Sequence, residues 1–146
     1  MLRAEVINPE TGRSANIDAR IDTGADVSAI CIAVADKIGV RPIGFCAVID
    51  ADGDPVDAPV FEVDLNIRGC VLNRVKVIGL DLSRSDCAGL IGNNILDKGV
   101  LVRDNNSWSF GIGENVCASG HGGAYLLAGV FGLALGVAGT LLLTRK

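Results

Sequence analysis

Ile21-Asp22-Thr23-Gly24-Ala25-Asp26 closes an apolar run with an acidic tight turn. Thr23 offers a hydroxyl to lock such a loop, and Gly24 lets the backbone turn where a Cβ would clash. Asp22 is the candidate working carboxylate. Two carboxylates about 3 Å apart cannot both ionise, so a facing pair shares one proton. One member of such a pair activates a water while the other polarises a carbonyl group. The chain carries a single Asp-Thr-Gly, so the second carboxylate has to come from elsewhere.

Working outward from the turn, Leu2 to Ile7 and Ser14 to Ile21 read as strands joined through Pro9-Glu10-Thr11-Gly12, a hairpin that feeds the acidic loop. Downstream, Ser28 to Gly39 has apolar residues at 30, 34, 35 and 38. That spacing predicts one short helix, with Gly39 as its stop and Pro42 beyond it. Ile43 to Ile49 is a strand. Asp50-Ala51-Asp52-Gly53-Asp54-Pro55 is the strongest turn signal in the chain, and Val60 to Ile67 alternates as the returning strand. Cys70 to Leu80 and Ala88 to Gly92 are further strands, and Asn93 to Lys98 is one helical turn ended by Gly99. Val100 to Arg103 and Ser107 to Ile112 form a last hairpin. Many short strands with one or two short helices describe a small, mostly antiparallel all-β domain. The expected organisation is a folded domain over 1–113, a glycine-rich linker over 114–123, an apolar segment over 124–143 and a basic tail over 144–146.

The chain has 146 residues and is 49% hydrophobic but only 4% aromatic. Much of that apolar excess lies in Ala124 to Leu143, twenty residues without a charge, followed by Thr144-Arg145-Lys146. The length matches the hydrocarbon thickness of a bilayer, and core helices seldom run so far without a polar face. A C-terminal transmembrane helix is expected there. Ala128, Gly132, Gly136 and Thr140 recur every four residues in it, a small-residue face on which two helices approach closely. Net charge is −4, with no basic cluster beyond Arg145-Lys146, which points away from nucleic acid. The N-terminus lacks an apolar signal segment. Cysteines at 31, 46, 70, 87 and 117 include no C-x-x-C pair and read as unpaired, favouring a reducing compartment. A cytoplasmic domain is the expectation, against the weak opposite vote of the two C-terminal charges. Cys117 with His121 is too small a set to hold a metal, Ser28 has no histidine near it for a triad, and no Gly-Lys-Ser/Thr follows a strand. No metal and no cofactor are expected.

Residues 14 to 112 resemble the retropepsin-type aspartic proteases, in particular their prokaryotic single-domain members. Four features carry the resemblance: Ile21 to Asp26; the helix-like Ile32 to Gly39 with Val40-Arg41-Pro42 after it; the Ala51-Asp52-Gly53 hairpin; and Leu90-Ile91-Gly92-Asn93-Asn94-Ile95-Leu96. The resemblance implies a small closed barrel, Asp22 as the catalytic residue, and Thr23 and Gly24 as support for its loop. It also implies substrate contacts from Ala25, Asp26 and a flap at Ala51, Asp52 and Gly53, with Leu90, Ile91 and Gly92 as the second apolar-Gly motif. One motif per chain implies a homodimer with the site on its two-fold axis. Two differences stand out. Viral relatives carry arginine after the second motif's glycine, where this chain has Asn93, so the expected partner of Asp26 is missing. The flap region is acidic, with Asp50, Asp52, Asp54 and Asp57. The expected function is a membrane-anchored aspartic endopeptidase acting on proteins or peptides. The alternative is a catalytically silent, membrane-tethered peptide-binding or dimerisation module on the same scaffold.

Overall fold

The structure, a computed structural model, describes residues 1–49, 52–103, 108–112 and 115–118. The chain divides into two compact units, the first formed by Met1–Ile67 with Val71–Ile95.

In the first unit, β1 (Leu2–Ile7) and β2 (Ser14–Ile21) pair antiparallel. Their register places Leu2, Ala4 and Val6 opposite Ala19, Ile17 and Ala15, and all six are buried. The alternate positions face outward, where Arg3 meets Asp18 across the strands. This is the period-two pattern of a half-buried sheet. The 8–13 turn between them is fixed by the buried Asn8, whose side-chain oxygen accepts from the Glu10 N–H while its Nδ2 donates to the Ile38 carbonyl.

Ser28 to Gly39 is not one helix. Ala29–Cys31 forms a strand, β3, and only Ile32–Ile38 is helical (α1). The reason is long-range: Ala29 and Ile30 pair with two other strands at once, β6 (Cys70–Leu80) and β7 (Gly89–Ile91). Tertiary pairing overrides a short helical period. The helix stops at Gly39, which adopts the left-handed conformation.

β4 (Gly44–Ile49) and β5 (Pro55–Ile67) form the expected hairpin, and β5 begins five residues before the alternation at Val60 becomes readable. Pairing runs β1-β2-β7-β3-β6-β5, and β5 pairs again with β1. Six strands therefore close a ring, with β4 added outside it on β5. Along β6 the alternation changes phase at Asn73-Arg74, where Arg74 has φ +51°, as at a β-bulge. The Arg74 N–H donates to Asp64 and its guanidinium to Glu62 and Glu10, contacts that hold its pKa above the ordinary value. The interior is filled by Phe61, Val63, Leu65 and Ile67 of β5 with Leu72, Val75 and Val77 of β6.

The second unit includes β8 (Val100–Arg103), β9 (Trp108–Ile112) and β10 (Asn115–Ala118), a three-stranded antiparallel sheet. Residues 115–118 were expected to belong to a linker; they instead pair with β9 from Ile112 to Ser109. Cys31, Cys46 and Cys87 are free thiols, whereas Cys70 is disulfide-bonded, which corrects the expectation that all five cysteines are unpaired. Among the described residues no helix is long and apolar enough to cross a membrane. The expected span at 124–143, with its small-residue face, lies outside the described residues, as does His121.

Candidate active site

The Asp22 loop leaves β2 and returns as β3, and its shape is set by hydrogen bonds to two neighbouring segments. The Asp22 N–H donates to the Ile91 carbonyl at 2.9 Å, which extends the parallel pairing of Ile21 with Ile91. Within the loop the Gly24 N–H donates to Asp22 Oδ1 at 3.0 Å, and the Ala25 N–H to the Asp22 carbonyl at 3.2 Å. An aspartate that accepts from the backbone two residues on closes a tight turn with its own side chain. Its second oxygen, Oδ2, accepts no hydrogen bond from the described residues. Asp22 is half-buried, so its carboxylate is oriented on one side and open to solvent on the other.

A second layer comes from α2 (Asn93–Leu96), a single turn after Gly92. The Asn93 and Asn94 N–H groups donate to the carbonyls of Ala25 and Asp26 at 2.8 and 3.0 Å. Asn93 Nδ2 donates to the Thr23 carbonyl at 3.0 Å. Thus Asn93, read from sequence as an absent partner for Asp26, braces the loop through its amide. The Asp26 side chain is exposed and has no ion-pair partner among the described residues. Thr23 is exposed too, and within the chain it holds the loop through its carbonyl; its hydroxyl makes no hydrogen bond among the described residues.

Beneath the loop sits a polar knot that sequence reasoning missed. Ser28 is only 1% exposed. Its hydroxyl donates to Asn94 Oδ1 at 2.7 Å and accepts from the Gly92 N–H at 2.8 Å. The Ser28 N–H also donates to Asn94 Oδ1, at 2.8 Å, and Asn94 Nδ2 donates to the Lys76 carbonyl at 2.9 Å. Two side chains therefore join the loop, β6 and the end of β7. Every member is paired, as a buried polar network requires. Gly92 has to be glycine because of close approach: a Cβ there would lie 2.7 Å from the Ala25 carbonyl oxygen and 2.9 Å from Val27 backbone carbon. The only sequence signal for this knot was the Asn93-Asn94 pair directly after the apolar-Gly motif.

Leu90 and Ile91 thus pair with Arg20 and Ile21 just ahead of Asp22, and Gly92 lies against the backbone of Ala25 and Val27. The flap residues are placed on the β4–β5 hairpin. Gly53 has φ +89°, a left-handed conformation that suits glycine, and Asp52 and Gly53 are exposed; Asp50 and Ala51 lie outside the described residues. One face of the hairpin, through Cys46, Val48, Ala58 and Val60, packs on Ala29 and Ile78. The other presents Phe45 and Ile49, which are 70% and 69% exposed. Among the described residues no group of three or more His, Cys, Asp or Glu is arranged to hold a metal.

No protein-family model matches the chain, and no curated protein matches it. Solved structures do. A retropepsin-like aspartic protease from Rickettsia conorii matches with a TM-score of 0.52 at 19% identity, over 79% of this chain and 91% of that one. The retroviral protease-like domain of Ddi1 from Leishmania major gives 0.48 at 18% identity, over 82% of this chain and 94% of that one. The Simian Foamy Virus (mac) protease gives 0.46 at 19% identity, over 66% and 90%. The fold is that of the retropepsin-like aspartic proteases, and the Rickettsia conorii structure carries that conclusion. At these identities the likeness is one of fold.

Proposed function

We propose that this protein is a membrane-anchored, homodimeric aspartic endopeptidase. The observation that carries the reading is the Asp22 carboxylate, held on one oxygen by its own loop and open on the other, on the retropepsin-like fold. One chain supplies one such group. Two copies meeting about a two-fold axis bring two Asp22 carboxylates to one water. One carboxylate takes the water's proton as its oxygen attacks the peptide carbonyl carbon, and the protonated partner donates to the carbonyl oxygen. Collapse of the tetrahedral intermediate breaks the C–N bond as a proton passes to the leaving nitrogen. Ala25, Asp26 and the Ala51-Asp52-Gly53 flap contact the substrate, and the 124–143 segment anchors the enzyme in the bilayer. The chemistry needs neither cofactor nor metal.

The test is incubation of the purified full-length protein with a peptide library, with and without an inhibitor that mimics the tetrahedral intermediate. Cleavage that the inhibitor blocks and chelators leave unchanged is the expected result. Peptide binding without cleavage at any pH would instead identify a silent binding module.

A further inference from the structure

We propose that the open edge of β4 is a docking site for an extended peptide of the pattern apolar-x-basic-x-apolar, bound as an added strand. β4 reads Gly-Phe-Cys-Ala-Val-Ile, and among the described residues it pairs with β5 alone. Exposed strand edges normally carry a lysine, a proline or a bulge that blocks further pairing. Gly44 to Ile49 holds neither a charge nor a proline. The phase of the edge follows from two prolines on the partner strand. Phe45 faces Pro59 and Ile49 faces Pro55, and proline has no N–H to donate. Those facing pairs, and Ala47 with Asp57 between them, are therefore the ones that exchange no hydrogen bonds. The N–H and C=O groups of Phe45, Ala47 and Ile49 point away from β5, toward the open edge.

The side chains along the same stretch set what fits. Phe45, Ala47 and Ile49 share one face of the hairpin, opposite the face that packs Cys46 and Val48 on Ala29 and Ile78. Phe45 and Ile49 are large, apolar and exposed, with the small Ala47 between them. Directly across from Ala47 on β5, on that same face, stands the exposed Asp57. Neighbouring strands lie about 4.8 Å apart, so a strand added to β4 runs roughly 10 Å from β5. A lysine or arginine facing Ala47 spans that gap over the short alanine and meets the Asp57 carboxylate. Apolar residues two positions to either side of it cover Phe45 and Ile49. The wider charge agrees: Asp52 and Asp54 are exposed too, and no basic residue occurs between Gly44 and Ile67. The same charge argues against a second copy as the occupant, because β4 paired with β4 brings two sets of these carboxylates together. Docking at this edge does not depend on hydrolysis at Asp22.

The experiment titrates the full-length protein into fluorescein-labelled Ser-Val-Thr-Lys-Thr-Val-Ser-amide and reads fluorescence anisotropy, with and without the inhibitor that mimics the tetrahedral intermediate. Saturable binding that the inhibitor leaves unchanged is the expected result. Glutamate in place of the lysine should weaken it about tenfold or more. Methylating the lysine backbone nitrogen removes its bond to Ala47 and should weaken binding to a similar extent. Methylating a threonine nitrogen, which points away from β4, should change affinity by less than about threefold. In the protein, Ala47→Pro removes an outward N–H and should abolish binding. Asp57→Asn should erase the preference for lysine over glutamate, which keeps the test decisive if Ala47→Pro fails to fold. No saturable binding up to about 1 mM peptide would overturn the proposal, as would displacement by the inhibitor or equal affinity of the two methylated peptides. Self-association of the free protein that Ala47→Pro abolishes would give the edge to a second copy, and so overturn it too.

Discussion

Ser28 and Asn94 stand 66 residues apart in sequence and share two hydrogen bonds beneath the Asp22 loop. Removing the Asn94 amide by Asn94→Ala leaves the Ser28 N–H and hydroxyl without their acceptor and the Lys76 carbonyl without its donor. A buried polar group stripped of its partner costs about 1–3 kcal/mol. Chemical denaturation should therefore show Asn94→Ala destabilised by about that much, and a loss under ~0.5 kcal/mol, the range of an ordinary surface substitution, would contradict the role assigned to it. The tight turn at Asp22-Thr23-Gly24 was legible in the sequence as a turn because turn chemistry is local and its residue types are few. Ser28 and Asn94 were not, since nothing within either segment says that the two will meet. Asn93 shows the same limit: the sequence reading noted which partner of Asp26 it failed to be, and the structure shows it holding the Thr23 carbonyl instead.

Among the elements, those built from near neighbours were the readable ones. The β1–β2 and β4–β5 hairpins each announce themselves by alternation flanking a turn signal, and α1 by its Gly39 stop. β3 was hidden, because a three-residue strand is defined by its partners β6 and β7 rather than by its own period. β10 was hidden for a related reason: Asn115 to Ala118 lie in a glycine-bearing stretch that reads as linker until β9 supplies the pairing. The proposed flap is the element most open to test. At Gly53, φ is +89° and no neighbouring atom lies within 4 Å of where a Cβ would stand, so a larger residue meets backbone strain rather than a clash. A β-branched residue tolerates that conformation poorly. Gly53→Val should reduce turnover by distorting the hairpin tip while leaving the thermal midpoint within a few degrees of wild type. Steady-state kinetics beside a melting curve checks this, and unchanged kinetics would remove the 51–53 turn from the substrate site.

For the whole molecule, one Asp-Thr-Gly per chain makes the proposed activity second order in monomer. With Asn93 bracing its own loop, Asp26 has no arginine partner among the described residues, and the proposed dimer is expected to be weak. The proposed membrane anchor would raise the effective concentration of two chains held in one bilayer, without any new contact between the folded domains. The face formed by Ala128, Gly132, Gly136 and Thr140 would add helix packing to that tether. A chain truncated after Ala118, which keeps β10, should show specific activity that rises with protein concentration. The full-length protein in membranes should show a much flatter dependence, with Gly132→Ile combined with Gly136→Ile falling between the two. A truncated chain that is fully active and dimeric at nanomolar concentration would reduce the tail to an address.

The central claim is that Asp22 is the acid and base of a peptide hydrolase, and hydrolysis by purified Asp22→Asn beside wild type measures it most directly. An amide accepts no proton from water, so two facing amides leave no general base. The account predicts that Asp22→Asn keeps the wild-type circular dichroism spectrum and unfolding midpoint but loses several powers of ten in rate, while wild type shows a bell-shaped pH profile, as expected where two coupled carboxylates share a proton. Folded Asp22→Asn turning over at the wild-type rate would contradict it.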